Sequence, residues 1–324
     1  MPESELARLT LNDIRTAREV IARHLPPTPF FEFPRLSERT GTETWVKLEN
    51  TQPIGAFKVR GGVNFVNSMS AAERALGFVA ATRGNHGQAL AYGCRASGAK
   101  CTIFVPQGNN PDKNAAMKAY GADLRIEGKD FDEALEAALR FSATSGAHFV
   151  HPADPAFVAG AGTMALEMLD QAKQPFDAIF IPVGAGSIVT GVSVVLKALS
   201  PKTKIIGVQA ENAPAMYQTY KKGSLQSTSS ANTIADGLAI RNAIKTTGEL
   251  LQRSADDMVL VSEEEIRSAI RCYADTTHYL AEGAGAAALA GLIKLKDAYK
   301  GKRVAVILSG GNIDHATLTS VLCQ

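Results

Sequence analysis

Residues 78–106 read FVAATRGNHGQALAYGCRASGAKCTIFVP, and this stretch decides the fold class. Two apolar runs, FVAAT (78–82) and KCTIFVP (100–106), flank a glycine loop and a helical pattern. Two strands that are joined by a helix form a β-α-β unit with parallel strands. Because this alternation continues to residue 150, the sequence predicts a parallel sheet covered by helices.

The same alternation resumes on a larger scale toward the carboxyl terminus. Further strands are predicted in FDAIFIPV (176–183), KIIGVQAE (204–211), MVLV (258–261) and RVAVILSGG (303–311). We therefore predict an α/β protein with two parallel-sheet lobes. In this interpretation residues 77–150 form a small inserted domain, and residues 1–76 together with 151–324 form the large domain.

Composition and charge favour a small-molecule partner. The 324 residues carry a net charge of +2, and lysine and arginine are scattered, so neither nucleic acid nor a membrane surface is expected as a partner. No apolar run is long enough to span a membrane, and the charged amino terminus does not resemble a signal peptide. The four cysteines lack disulfide or zinc spacing, which predicts reduced thiols and a cytoplasmic location.

Three glycine loops follow predicted strands: TRGNHG (82–87), GAGS (184–187) and SGGN (309–312). Ligands of parallel α/β sheets bind beyond the carboxyl ends of the strands, so these loops are expected to meet in one cleft. GAGS opens a helix, and its backbone N–H groups form an anion cradle suited to a phosphate. Two alternatives stay open here: an ordinary turn, and a nicotinamide-dinucleotide site with Glu211 at the end of the next strand.

The loop TRGNHG also opens a helix. Its backbone N–H groups from Gly84 to Gly87 suit an anion such as a carboxylate, and Asn85 adds a side-chain amide donor. His86 is of the residue type that serves as a general base, but a histidine at a helix start is more often a cap or a packing residue. We therefore do not assign His86 as a catalyst.

Lys58 lies in IGAFKVRGG (54–62), among small and apolar residues. Burial lowers the pKa of an amine, and a neutral lysine amine forms a Schiff base with an aldehyde. A Schiff-base lysine combined with a phosphate cradle predicts a cofactor that is both aldehyde and phosphate, which is pyridoxal phosphate. Gly61 and Gly62 are expected to permit close packing beside the flat ring of that cofactor.

Over nearly its whole length the chain resembles the fold type II pyridoxal-phosphate enzymes, whose fold is tryptophan synthase β-like. The resemblance is to the serine/threonine dehydratase and serine racemase group, and it implies two lobes with the cofactor in the cleft between them. The matching stretches occur in the family's order: WVKLENTQPIGAFKVRGG, ATRGNHGQALAYGC, FVHPADPAFVAGAGTMALEML, PVGAGSIVTG, NTIADGLA, AEGAGAAALAG and ILSGGN.

The resemblance also implies residue roles. Lys58 would form the internal aldimine, Asn85 would hydrogen-bond the ring oxygen, and Ser309 would face the pyridine nitrogen. The further cofactor contacts that it implies are Phe57, Gly184, Ala185, Gly186, Ser187, Ile188 and Glu282. The substrate carboxylate would bind the loop made of Thr82, Arg83, Gly84, Asn85 and His86. A homodimer is the assembly that the resemblance implies.

Ser309 bears on the reaction type. A hydroxyl cannot form the ion pair that an aspartate makes with a pyridinium, so the ring is expected to be a moderate electron sink that favours loss of a β-leaving group. The expected reaction converts a β-hydroxy-α-amino acid, by default L-threonine or L-serine, to a 2-oxo acid and ammonia. Lys58 would remove the α-proton, and the cofactor phosphate would assist departure of the hydroxyl.

Three departures from the family pattern limit the transfer. Ala56 replaces the usual serine before Phe-Lys, and Thr82 with Arg83 replaces a serine pair whose second member is the acid/base of racemases. A guanidinium stays charged, so racemisation is less favoured, while phenylserine- or hydroxyaspartate-type substrates stay open. Glu211 matches the family's metal site but Tyr217 does not, which leaves a divalent metal doubtful.

Other activities of the same fold, and other classes of protein, stay open as hypotheses. Within the fold these are serine racemase activity and β-replacement at sulfur. A nicotinamide-dependent oxidoreductase is remote, because it leaves Lys58 and Ser309 without roles. A catalytically silent ligand-binding protein is a third, equally remote possibility. Since the chain stops at Gln324 after the final strand, we expect no appended regulatory domain and no feedback control by isoleucine.

Overall fold

The computed structural model describes residues 6–323, which form two β-sheets covered by helices. The larger sheet contains β1 (Phe30–Glu32), β2 (Glu43–Leu48), β7 (Ala178–Pro182), β8 (Lys204–Ala210), β9 (Asp257–Val261) and β10 (Arg303–Leu308). The smaller sheet contains β3 (Phe78–Ala81), β4 (Cys101–Val105), β5 (Asp123–Ile126) and β6 (His148–Phe149). The strand orders are β1-β2-β10-β7-β8-β9 and β5-β4-β3-β6. All neighbouring strands are parallel except β1 and β2.

Helices connect the strands and cover the sheets. In the first half of the chain they are α1 (Leu11–Ile21), α2 (Pro34–Thr40), α3 (Lys58–Ser68), α4 (Ala71–Leu76), α5 (Asn85–Ser97), α6 (Pro111–Ala119) and α7 (Phe131–Ser145). In the second half they are α8 (Pro155–Gln171), α9 (Ser187–Leu199), α10 (Ala215–Lys222), α11 (Lys245–Ser254), α12 (Glu263–Thr277), α13 (Gly283–Lys294) and α14 (His315–Leu322). Short 3₁₀ turns occur at Glu49–Thr51, Asp236–Leu238 and Lys296–Tyr299.

The larger sheet is apolar on both faces. Along β10, Val304 and Val306 pack in the core on one side, whereas Ala305 and Ile307 pack in the core on the other. Parallel strands that are covered by helices on both faces carry such continuous apolar runs. The predicted α/β architecture with parallel-sheet lobes is therefore confirmed, while the domain bounds stay a prediction.

Strands β1 and β2 were not recognised in the sequence. β2 pairs in parallel with β10, and β1 adds an antiparallel edge strand. β1 has only three residues, and β2 contains Lys47, which interrupts its apolar pattern. Lys47 is nevertheless fully buried because its Nζ donates to the carbonyl of Thr28 at 2.8 Å and to Glu167 at 2.7 Å.

Helix α3 packs against α5 and α8 through two glycines. A Cβ atom at Gly62 would lie 2.1 Å from the carbonyl oxygen of Ala89, and one at Gly61 would lie 2.2 Å from the ring of Phe157. These glycines therefore allow close helix packing, and neither lines the cavity described below. The expectation that Gly61 and Gly62 lie beside a cofactor ring was wrong.

Within residues 6–323, no helix has the length and apolar character needed to cross a membrane.

Candidate active site

The three glycine loops and Lys58 meet at one cavity. Asn85 comes from the start of α5 after β3, the GAGS loop follows β7, and Ser309 follows β10. The residues that line this cavity are Phe57, Lys58, Asn85, Pro182, Gly184, Ala185, Gly186, Ser187, Ile188, Gly237, Leu238, Glu282, Ala284 and Ser309. The convergence follows from parallel strand order, because the carboxyl ends of the strands face the same edge of a sheet.

Lys58 is the first residue of α3. Its Nζ lies 4.8 Å from the ring centroid of Phe57 and 6.0 Å from that of Phe157. Burial lowers the pKa of the Lys58 amine to about 8, against the opposing effect of the Glu282 carboxylate. A substantial fraction of the amine is therefore neutral near pH 7.5, as a nucleophile or a proton acceptor requires.

The segment before Lys58 is tied to the loop that carries Ser309. The N–H of Phe57 donates to the carbonyl of Ser309 at 2.9 Å, and Ala56 forms a bridge with Gly310. Ser309 is buried, and its Oγ donates to the carbonyl of Ala284 over 3.4 Å, a long bond that leaves the hydroxyl available to a ligand. These bonds hold Lys58 and Ser309 in one rigid frame.

The GAGS loop forms an open cradle at the start of α9. No side chain caps this helix, so the N–H groups of its first turn lack intrahelical acceptors. A Cβ atom at Gly184 would lie 2.2 Å from the carbonyl oxygen of Gly237, which makes glycine necessary at this position. The Oγ1 of Thr247 donates to the carbonyl of Ala185 at 2.7 Å and supports the loop. Sequence reasoning missed this role of Thr247.

Asn85 belongs to a chain of polar contacts with Glu282 and Asn312. Its Nδ2 donates to Oε1 of Glu282 at 2.8 Å, and Nδ2 of Asn312 donates to Oδ1 of Asn85 at 2.9 Å. Burial raises the pKa of the Glu282 carboxyl to about 7, and the nearby ammonium groups of Lys113 and Lys58 act in the opposite direction. Asn312 ends the SGGN motif, but the sequence assigned it no role.

The loop TRGNHG uses part of its own hydrogen-bonding capacity. Oγ1 of Thr82 accepts from the N–H of Gly84 at 3.0 Å and from that of Gly87 at 3.4 Å. The expectation that the N–H groups of Gly84 and Gly87 serve an external anion therefore needs correction. The N–H groups of Asn85 and His86 have no acceptor among residues 6–323 and remain for a ligand.

Arg83 and His86 differ sharply in environment. Arg83 is exposed, whereas His86 is buried with its ring centroid 4.9 Å from that of Phe157. Nε2 of His86 lies 3.1 Å from the carbonyl of Val150, and burial together with the Lys58 charge lowers the pKa of His86 to about 3. A neutral, packed imidazole agrees with the interpretation of His86 as a packing residue.

Glu211, the candidate metal ligand, is exposed. The part of the chain that the structure describes contains no group of three or more His, Cys, Asp or Glu side chains placed to hold a metal ion. The N–H of Tyr217 donates to the side chain of Gln209 at 2.7 Å. These contacts place neither Glu211 nor Tyr217 at the cavity.

Comparison with known proteins identifies the class. The family model described as pyridoxal-phosphate dependent enzyme matches residues 21–310. L-threonine ammonia-lyase of Thermotoga maritima is 40% identical over 307 residues, which cover 94% of this chain and 76% of the relative. The processed form of threonine deaminase isoform 2 from Solanum lycopersicum has a TM-score of 0.91 at 33% identity, covering 98% and 92% of the two chains. Maize serine racemase has a TM-score of 0.91 at 26% identity, covering 97% of each chain.

The chain therefore belongs to the family of pyridoxal-phosphate dependent enzymes. The predicted fold type II architecture, the cofactor and the class of enzyme, a lyase, are confirmed by these similarities. The nicotinamide-dependent alternative is thereby set aside.

The residues of the cavity fit pyridoxal phosphate. An amine of lowered pKa suits its aldehyde, and the uncapped start of α9 suits its phosphate. The buried Ser309 hydroxyl suits its pyridine nitrogen, and the Asn85 amide suits its ring oxygen. Lys58, Asn85, the GAGS loop and Ser309 would thus hold the cofactor.

Proposed function

We propose that this protein deaminates β-hydroxy-α-amino acids, with L-threonine as the first substrate and L-serine as the second. The reaction removes ammonia and leaves a 2-oxo acid, because the enamine formed by loss of water is hydrolysed. The observation that carries the proposal is the Lys58 amine, which lies in one cavity with an anion cradle and the Ser309 hydroxyl. The names of the similar proteins, L-threonine ammonia-lyase and threonine deaminase, support this choice of substrate.

Lys58 is proposed as the base. When bound, pyridoxal phosphate holds the substrate amine and withdraws electrons from the α-carbon. Nζ of Lys58, which is partly neutral near pH 7.5, then takes the α-proton. The proton stays on the Lys58 amine, which lies beside the ring of Phe57. The Glu282 carboxylate, which favours the charged form of Lys58, stabilises the ammonium that results.

The remaining residues bind and orient. The N–H groups of Asn85 and His86, at the start of α5, are proposed to hold the α-carboxylate of the substrate. Thr82 shapes this loop through the two N–H groups from which its hydroxyl accepts. Ser309 is a neutral partner for the pyridine nitrogen, which favours elimination over prolonged carbanion chemistry.

Arg83 is proposed to act on substrate choice rather than on proton transfer. The residue is exposed at the loop that binds the carboxylate, and its guanidinium cannot serve as an acid at neutral pH. Racemisation at this site is therefore disfavoured. A second carboxylate, as in a hydroxyaspartate-type substrate, is the feature that Arg83 is able to recognise.

We also propose a homodimer in the cytoplasm. Phe31, on the edge strand β1, is 51% exposed, and Leu280 is 47% exposed. The ring of Phe33 contacts those of Phe31 and Tyr279, the residue before Leu280, so the four residues form a continuous apolar strip. An apolar strip at an open sheet edge is typical of a surface that another chain covers. Light scattering should give twice the chain mass, and Phe31→Glu should lower it. A monomeric mass of the unmodified protein contradicts the homodimer.

The catalytic proposal is tested by product analysis. The protein loaded with pyridoxal phosphate is incubated separately with L-threonine, L-serine, threo-3-phenylserine and 3-hydroxyaspartate. The 2-oxo acid and the ammonia are measured in each case, and one molecule of ammonia is expected for each molecule of 2-oxo acid. Lys58→Ala should abolish both products, whereas Lys204→Ala, at an exposed strand end, should not change them. Arg83→Ser should alter the ranking of hydroxyaspartate against threonine. D-serine as the main product from L-serine, or no 2-oxo acid from any member of the set, contradicts the proposal.

A further inference from the structure

Asn312 uses both hydrogens of its amide nitrogen at the edge of the cavity. Nδ2 of Asn312 donates to the backbone carbonyl of Ile54 at 2.8 Å and to Oδ1 of Asn85 at 2.9 Å. The three residues belong to distant parts of the chain, separated by 258 positions for the first bond and by 227 for the second. Asn312 therefore joins the loop before Lys58 to the start of α5.

The direction of these bonds is set by chemistry. A backbone carbonyl can only accept, so the amide nitrogen of Asn312 must face Ile54. A nitrogen carrying two hydrogens can only donate, so it must meet the oxygen of Asn85 and not its nitrogen. The nitrogen of Asn85 is then left to face Glu282 and the cavity.

The carbonyl of Ile54 is itself held in place. Gly55 follows it with φ +67°, and a Cβ atom there would lie 2.5 Å from Oδ1 of Asn312. The N–H of Gly311 donates to the carbonyl of Gly55 at 2.9 Å, so the two loops are bonded on both sides of the Asn312 contact. The carbonyl of Ile54, and with it the side-chain amide of Asn312, is consequently held in one orientation.

We propose that Asn312 is a positioning residue that fixes the side-chain amide of Asn85 with its nitrogen toward the cofactor. This inference rests on the proposed role of Asn85 as donor to the ring oxygen of the cofactor. One hydrogen of Asn85 Nδ2 binds Glu282, and the other is available to that oxygen. A rotated amide would present a carbonyl oxygen to an anionic ring oxygen, which is repulsive.

The test is Asn312→Asp, which keeps the size of the side chain and removes both donors. An ionised carboxylate at this position only accepts, so the amide of Asn85 should turn its nitrogen toward the carboxylate and its oxygen toward the cavity. We expect the dissociation constant of the cofactor to rise at least tenfold, and the visible absorption maximum of the loaded variant to shift. Asn312→Ala, which frees the amide without adding charge, should give a smaller effect in the same direction.

Asn50→Asp is the matched control. Nδ2 of Asn50 donates to the carbonyl of Leu280 at 3.0 Å, and a Cβ atom added at Gly311 would lie 3.2 Å from the Cβ of Asn50, so this residue borders the same loop. Its side chain has no hydrogen bond to Asn85. This variant should keep the spectrum and the cofactor affinity of the unmodified protein. A change equal to that of Asn312→Asp overturns the proposal, because it would show a general effect on the loop.

A double-mutant cycle separates positioning from stability. In the Asn85→Ala background, Asn312→Asp should change the cofactor dissociation constant by less than about twofold, because the amide that it orients is gone. An unchanged spectrum and affinity in Asn312→Asp alone, or an equal loss in both backgrounds, overturns the proposal. These measurements use cofactor without amino acid, so a wrong choice of substrate leaves them unaffected.

Discussion

Nη1 of Arg60 lies 2.6 Å from Oε1 of Glu167, and the Arg60 side chain has no exposure to solvent. Nε of Arg60 also lies 2.8 Å from Glu49, and Nζ of Lys47 lies 2.7 Å from the other oxygen of Glu167. Two positive and two negative side chains thus balance inside the core, and Arg60 belongs to the first turn of the helix that begins at Lys58. Every charge has a hydrogen-bonded partner, which is the condition under which buried ions are tolerated.

Removing Arg60 should be severely destabilising. Arg60→Met leaves two buried carboxylates with Lys47 as their one nearby cation and with neutral donors from Thr28, and the expected loss in the free energy of unfolding is about 3–5 kcal/mol. Urea unfolding of the cofactor-free protein measures it. Arg18→Met is the control, because Arg18 and Asp170 form an ion pair at 2.5 Å with both side chains about half exposed. A loss of at most about 1 kcal/mol is expected there, and equal losses in the two variants would refute the argument.

The amine of Lys58 should control how fast cofactor-free protein captures pyridoxal phosphate. Since burial lowers its pKa to about 8, the neutral fraction falls about tenfold per pH unit below that value. The capture rate should therefore rise with pH and level off above about pH 8. Stopped-flow absorbance measures the capture rate, at pH values from about two units below the pKa of Lys58 to about one and a half units above it. Free cofactor is analysed alone to correct for its own ionisation.

Glu282→Gln should move that profile to lower pH. The Glu282 carboxylate raises the pKa of Lys58, so a neutral amide at this position lets the pKa fall further. Glu136→Gln is the control because Glu136 is exposed on α7 and does not line the cavity. If the midpoint of the pH profile stays in place or moves to higher pH in Glu282→Gln, the Glu282 carboxylate does not raise the pKa of Lys58.

Gly184→Ala should weaken cofactor binding. The added Cβ would lie 2.2 Å from the carbonyl oxygen of Gly237, so the cradle at the start of α9 must shift, and we expect at least a tenfold rise in the dissociation constant. Gly108→Ala is a control for backbone strain, with φ +70° and nothing within 4 Å of the new atom. That variant should lose stability without a change in affinity, as fluorescence titration and thermal unfolding will show.

Lys113 and Asp236 form an ion pair between α6 and a turn that lines the cavity. Nζ of Lys113, on α6, lies 2.6 Å from Oδ2 of Asp236, whose 3₁₀ turn also supplies Gly237 and Leu238 to the cavity lining. Because Asp236 is 63% exposed, the pair is expected to contribute at most about 1 kcal/mol. Asp236→Asn should therefore raise KM for the amino acid about two- to fivefold, with the effect reduced at high salt. Asp257→Asn, in the exposed pair with Lys221 at 3.0 Å, should leave KM unchanged.

Local patterns were sufficient to predict most of the architecture. Strands β3 to β10 and several of the helices between them follow from apolar runs, helical periodicity and glycine loops, because these signals depend on neighbouring residues. Helices α8, α10 and α11 were not predicted. The three loops also indicated one cleft, since parallel strands place their carboxyl ends together. Ordered motifs around Lys58 and the GAGS loop led to the correct family and cofactor.

Other features required the tertiary structure. β2 contains a buried lysine whose charge is balanced by Glu167, 120 positions away, and whose amine also donates to the carbonyl of Thr28. Gly61 and Gly62 were associated with a cofactor ring, but their close neighbours are α5 and α8. Thr82 satisfies two N–H groups of its own loop, which no composition argument indicates.

The amino-acid sequence by itself determined strands β3 to β10, the glycine loops and the lysine that lines one cavity with them. Only the tertiary structure decided how the side chains of Arg60, Asn85 and Asn312 are used. Their hydrogen-bond partners lie 107 and 227 positions away, and an amide or a guanidinium looks the same in sequence whether it is solvated or buried. Burial removes water as the alternative partner, so each such group is fixed by the few acceptors and donors that the fold brings to it.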